Sequence, residues 1–327
     1  MCSSDLNQNV DAQLAKGLRV HLRTYPSSRH HTEAYVKGGY LQIDDLDFVS
    51  EGLLSDVMQV VRVRVGMDDI NYGDAHFRRS DNAQTLYNPF VGNYIMDSFT
   101  TEPFLEVSYL GRGGILAVIG ATNGRLNQKP TDGDNGLVVY SKVGYDKQMN
   151  DALRVRLTGS LYRSSAGGTR DYLYGGDRAG GRYYAILGGK DFDGRFNPRY
   201  AHQTAVMINP FVKYNGIEFF GLLESVSNGA DAGGGYTHIG SELLYRLGEE
   251  EDIYVGARYN QVSGEQVDGA ATRTIDRLNI GAGWFMTDNV LSKLEYVTQT
   301  YSEEGFTGTL LEGADFGGVM LEAVISF

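Results

Sequence analysis

From Leu18 to its carboxyl end the chain alternates apolar and mixed positions with a period of two. Leu18, Val20 and Leu22 alternate with Arg19, His21 and Arg23, and Val61, Val63, Val65 and Met67 with Arg62, Arg64 and Gly66. Leu153, Val155, Leu157 and Leu161 alternate with Arg154, Arg156, Thr158 and Tyr162. The pattern returns at 238–247, 253–260 and 277–286. At the end, Val319, Leu321, Ala323, Ile325 and Phe327 oppose Met320, Glu322, Val324 and Ser326. Successive strand side chains point to opposite faces, so each stretch predicts a strand with one apolar and one mixed face. Almost no helical period competes, and Leu54 to Met58, within 44–60, is the one place for a short helix.

The links between these stretches sort by length. Leu110 to Gly113, Asp146 to Asn150, Asn215-Gly216, Gly248 to Glu251 and Thr287 to Asn289 read as tight turns. Between them lie Gly/Asp-rich links at 122–136, 163–203, 227–236, 262–273 and 301–315. Tight turns alternating with long loops are the signature of a membrane barrel, with turns on one rim and loops on the other. With 301–315 outside, parity places 163–203 outside and 44–60 in the periplasm. The count from Leu18 to Phe327 is then about 14 strands, or about 16 if Arg182 to Gly189 joins a strand pair. The expected fold is an all-β, transmembrane antiparallel β-barrel formed by one domain over 17–327.

Composition fits that expectation. Among 327 residues there are 43 Gly and 22 Tyr but only 6 Pro, which suits close strand packing and aromatic girdles. Mean hydropathy is −0.29, and no run approaches the roughly 20 apolar residues of a membrane helix. A barrel escapes that test because only alternate residues face lipid. A formal charge of −12 argues against nucleic acid as a partner. The single cysteine, Cys2, provides neither a disulfide framework nor a cysteine metal site. Met1 to Leu6 (MCSSDL) has no basic and no apolar segment, so no secretion signal is legible. Residues 1–16 are expected to be a non-native or disordered remnant of a truncated barrel.

The stretch 68–100 is too rich in Phe, Tyr, Ile and Met for a solvated loop, and loops of this length are usually functional or disordered. It is expected to fold into the lumen and to bury Phe77, Tyr87, Phe90 and Tyr94 against the wall. That brings His76, Arg78, Arg79 and Asp81 to the narrowest point. The alternative is an external loop with solvated arginines.

The terminal strand ending in Phe327 resembles the closing strand of Gram-negative outer-membrane barrels, where it also serves as the assembly signal. VRVGMDDINYGDAHFRRSDN, followed by the strand at Phe104 to Tyr109, resembles porins of the phosphate-selective porin O and P group, in the version common in Bacteroidota. YLYGGDRAGGRYY (172–184), which holds Arg178 and Arg182, and INPFVKYNGIEFFG (208–221) resemble it too. The resemblance spans nearly the whole chain after about residue 17. It implies a water-filled outer-membrane barrel, often trimeric, that passes small hydrophilic solutes without a cofactor. Here the phosphate-selective members' lysine ladder is missing.

The lumenal faces are expected to carry Arg19, Arg23, Arg62, Arg64, Arg154, Arg156, Arg258, Arg277 and Lys293, against Glu106, Glu224, Glu242, Glu295 and Glu322. An interior rich in unpaired arginine favours anions, since rings of one charge select the opposite ion. Arginines paired across the lumen would instead only brace the wall. The proposed path is lined by Arg62, Arg64, Arg154, Arg156, Arg178 and Arg182 with His76, Arg78, Arg79 and Asp81. No Walker loop, HExxH or GxSxG appears, and no strand aligns a Ser with a His. A rim hydrolase and a plugged structural or adhesive barrel are the alternative readings.

Overall fold

The computed structural model describes residues 6–26, 35–80, 84–122, 137–164, 173–175, 184, 186 and 194–327. These form one antiparallel sheet in strictly sequential order. Its strands are β1 Gln8–Ala15, β2 Leu18–Tyr25, β3 Tyr35–Ile43, β4 Val61–Asp69, β5 Thr101–Leu110, β6 Ile115–Thr122, β7 Val138–Gln148 and β8 Leu153–Ser164. They continue with β9 Gln203–Tyr214, β10 Ile217–Asn228, β11 Gly235–Leu247, β12 Ile253–Glu265, β13 Arg273–Thr287, β14 Val290–Ser302 and β15 Asp315–Ile325. The architecture is that of a transmembrane β-barrel, and its 15 strands lie within the expected range. No helix among the described residues is long and apolar enough to cross a membrane.

The sheet faces obey the period of two. Along β11, Ile239, Leu243 and Tyr245 are exposed on the outer side while His238, Glu242 and Leu244 are buried inside. A sheet that is apolar outside and polar inside inverts the soluble pattern, because lipid takes the place of the core. Tyr109, Tyr145, Tyr214, Tyr245 and Trp284 are all exposed near the short-turn ends of their strands. Such a row is where amphipathic rings meet headgroups. Tyrosine and glycine also serve the interior: a Cβ on Gly120 would strike the Tyr140 ring, and one on Gly283 the Tyr254 ring. Only glycine lets these rings lie flat on the neighbouring strand.

The links between β5 and β6, β7 and β8, β9 and β10, β11 and β12, and β13 and β14 are the five expected turns, and they share one rim. The helix expected in 44–60 is α1, Ser55–Met58, on that same rim. The remnant expected over 1–16 is corrected in part, since Gln8 to Ala15 pair with β2 from Gln8↔Thr24 to Ala15↔Leu18. Val10, Ala12 and Leu14 carry the alternation there, in a stretch too short and polar to stand out. Among the described residues β1 and β15 each pair on one side only. The strand pair expected around Arg182 to Gly189 lies outside the described residues.

The connection between β4 and β5 folds inward. Residues 88–100 are almost wholly buried, and the loop is bonded to the lumenal faces of β9 to β14. Asp74 N donates to Asn209 Oδ1 at 2.8 Å, Val91 N to Glu295 Oε2 at 2.8 Å and Ile95 N to Asn260 Oδ1 at 3.0 Å. The Tyr94 hydroxyl donates to Glu242 Oε1 at 2.6 Å. Backbone at membrane depth is tolerated only where protein or lumenal water satisfies it, and here wall side chains do so. The described part of 165–202 also turns inward: Tyr174 donates to Glu224 at 2.7 Å and Phe196 N to Ile95 O at 2.7 Å.

Candidate functional site

The inward loop fills the lumen beside β10 to β15 and leaves a cavity of about 690 Å³ against β2 to β10. Arg62, Arg64, Arg154 and Arg156 line it from the wall, and His76 and Arg78 from the loop. Their depth follows from strand position. Arg19, Arg62 and Arg154 are each the second residue of a strand leaving the short-turn rim, so they share one level. Arg64 and Arg156 stand two residues further on, on the same face and one step deeper. Two tiers of guanidinium therefore lead from the short-turn mouth to the loop.

The expectation of unpaired arginine is corrected. Arg62 bonds Asp44 at 2.6 Å, Arg64 bonds Glu106 at 2.6 Å, and Arg154 bonds Asp146 at 2.8 Å. Arg156 reaches both Asp74 at 2.8 Å and Asp146 at 2.9 Å. Arg78 bridges Glu218 at 2.7 Å and Glu242 at 3.0 Å. Several of these pairs are polarised toward the cavity. The Arg78 side chain is 16% exposed while Glu242 is 0%. Arg64 is 19% exposed against 1% for Glu106, and Arg154 is 46% exposed against 22% for Asp146. In each of these three pairs the cation is the more exposed partner, although Glu106 lines the cavity too, as do Asp69 and Asp74.

The Arg78-Arg79 pair splits. Arg79 is buried, bonds Asp97 at 2.7 Å and lies 3.6 Å from the Phe99 ring centroid, so it braces the loop instead of lining the path. Of the aromatics expected to bury, Phe90 and Tyr94 do, whereas Phe77 and Tyr87 face the cavity. Asp81, Arg178 and Arg182 lie outside the described residues. Arg258, Arg277 and Lys293 are on the lumenal side as expected, but they are buried as loop anchors. Arg258 donates to Asn88 Oδ1 and Gly92 O, each at 2.8 Å. Arg277 donates to Asn93 O at 2.7 Å and Lys293 to Thr85 O at 2.7 Å. Glycine- and asparagine-rich loop carbonyls need donors at depth, and these three cations supply them.

Two residues that the sequence did not single out tie loop and wall together. Asp74 accepts from Lys142 Nζ at 3.0 Å, from Arg156 Nε and Nη2 at 2.8 and 2.9 Å, and from Thr158 Oγ1 at 2.8 Å. Lys142 also donates to Asn71 Oδ1 at 2.5 Å and Gly73 O at 2.6 Å. Lys142 continues the alternation of Val138 and Tyr140 on the inner face of β7, which is the one sequence signal for it. Burial alone would raise the Asp74 carboxyl, but Lys142 and then Arg156 more than offset it and hold it below the usual carboxylate range. His76 is pushed down to about 3 by burial, with Lys142 adding to it. It is therefore a neutral wall group at ordinary pH and adds no charge to the path. Arg78 would be lowered by burial, yet Glu242 and Glu218 raise it above its ordinary value, so it stays charged.

Comparison with solved structures places this arrangement. The chain is similar to the anion-selective porin from Comamonas acidovorans, at 12% identity and TM-score 0.59, over 99% of this chain and 90% of that one. It is similar to the outer membrane channel DcaP of Acinetobacter baumannii, at 11% identity and TM-score 0.58, over 99% and 85%. A trimer form of OmpT, an outer membrane protein of Vibrio cholerae, matches at 10% identity and TM-score 0.55, over 99% and 91%. No protein-family model matches the sequence, and no curated protein matches it. At these identities the likeness is one of fold, and the fold is that of outer-membrane β-barrels.

Proposed function

We propose that this protein is an outer-membrane porin that conducts small hydrophilic solutes by passive diffusion, anions in preference to cations, inorganic phosphate among them. The observation that carries the reading is the polarity of the ion pairs at the cavity. Arg64, Arg78 and Arg154 are each more exposed than the carboxylate they bond, and among the described residues seven Arg and Lys side chains line the cavity against three carboxylates. A fixed cation at the water surface of a low-dielectric wall attracts anions even where its pair is neutral overall. The planar fork suits phosphate and carboxylate alike. Solutes are drawn down their own gradient, and no bond is made or broken. Homotrimeric assembly accords with the trimer form of one neighbour. Recognition by the barrel-assembly machinery is part of the same proposal, through β15 with its exposed alternate residues Val319, Leu321 and Ile325.

The test is the reversal potential of the full chain in a planar bilayer under a potassium chloride gradient. The expected value lies on the chloride side and moves toward the potassium side in Arg62→Ala/Arg154→Ala. A potassium-side value in the unaltered protein refutes the anion preference, and absence of conductance from folded protein refutes the porin.

A further inference from the structure

We infer that the cavity selects small organic anions with an aromatic body, benzoate-like monocarboxylates, over inorganic phosphate and over short aliphatic carboxylates. The inference rests on the anion-porin reading and adds to it the body of the solute. In most of the described barrel, large exposed apolar side chains lie on the outer wall or in the links. Phe77 and Tyr87 do otherwise: they belong to the inward loop, face the cavity, and are 40% and 64% exposed there. Packing does not account for rings left in lumenal water, since the same loop buries Phe90, Tyr94 and Phe99. Phe211 and Phe220 meet the same cavity from the wall.

Three of these four rings, Phe77, Phe211 and Phe220, have a cation beside them. Lys142 Nζ is 5.1 Å from the Phe77 centroid, Arg78 Cζ 5.0 Å from that of Phe220 and Arg154 Cζ 5.7 Å from that of Phe211. Among the described residues the wall carboxylates take Nε and Nη2 of Arg78 and Arg154 and leave Nη1 of each to meet a solute carboxylate with a charge-assisted hydrogen bond. An attached ring then stacks or packs edge-on against the adjacent aromatic and removes apolar surface from water. Phosphate, polar on every side, makes the first contact and gains nothing from the second. A binding pocket that is mainly apolar and aromatic with a few placed charges is the usual form of a site for an organic ligand.

The test uses the full chain in planar bilayers, with chloride carrying the current and benzoate, acetate or inorganic phosphate added to one side. Ring contacts of this kind are expected to make benzoate reduce the chloride current at a concentration about fivefold lower than acetate does. In Phe77→Ser/Tyr87→Ser the two carboxylates are expected to act at equal concentrations. Tyr87→Ser alone, at the more exposed position, gives the same reading in part should the double variant fail to fold. Equal action of benzoate and acetate on an anion-preferring channel overturns this inference and leaves the porin reading standing. A benzoate advantage that persists in both variants overturns the assignment to these rings. Cation preference, or no conductance, overturns both readings together.

Discussion

Asp74→Asn is the sharpest probe of how the loop is held. The carboxylate is 5% exposed and takes four hydrogen bonds from three side chains, two of them cations. Arg156 keeps Asp146 at 2.9 Å after the change. Lys142 keeps only the neutral oxygens of Asn71 and Gly73, so the variant leaves a buried ammonium without its anion. Breaking such a pair from one side costs about 3–5 kcal/mol. At 1.4 kcal/mol per tenfold, that raises the open fraction of the loop by roughly two to three and a half decades. Trypsin cleavage after Arg78 and Arg79 in detergent-folded protein reads that fraction directly, provided that opening is fast relative to cleavage. Lys142→Met added to Asp74→Asn removes the orphaned charge, so the pair is expected to be less damaging than the single change. The sign with pH is fixed as well. A carboxyl held below its ordinary 3.8 stabilises fully above about pH 4, and the contribution fades as acid reaches the depressed value. If Asp74→Asn resists trypsin as the unaltered protein does, with unchanged open-channel noise, the loop is not anchored through this carboxylate.

Arg78→Ala and Arg79→Ala are expected to differ in kind. A charge about 4 Å away across water contributes about 1 kcal/mol, so losing Arg78 lowers the anion-to-cation permeability ratio about fivefold. Losing Arg79 takes that cation from buried Asp97 and costs stability, seen as a lower temperature for the loss of heat-modifiable migration, with selectivity kept in the protein that folds. The same selectivity loss in both would refute the split. His76, with its pKa pushed down to about 3, stays neutral between pH 8 and pH 5. Selectivity across that range is then the same in His76→Asn as in the unaltered protein. A rise in anion preference on acidification that His76→Asn abolishes would show that the imidazole does take a proton there.

The sequence by itself determined the strands, their inner and outer faces and the sorting of turns and loops onto two rims. Those are local consequences of a period of two and of turn residues, and they need no knowledge of which strand lies beside which. It also marked 68–100 as a loop that had to bury something, since Phe90, Tyr94 and Ile95 cannot be left in water cheaply. It missed β1, where three alternating apolar residues among polar ones give too weak a signal. What only the tertiary structure decided is pairing. Arg78 and Arg79 are equal in the sequence, yet one meets Glu218 and Glu242 at a water surface and the other is enclosed with Asp97. Asp74 and Lys142 are 68 residues apart and become partners only when the loop enters the barrel. Whether an arginine acts on a passing ion or braces a wall depends on which carboxylate the fold brings to it and which of the two faces the water. That is a relation between distant residues, and a period of two does not contain it.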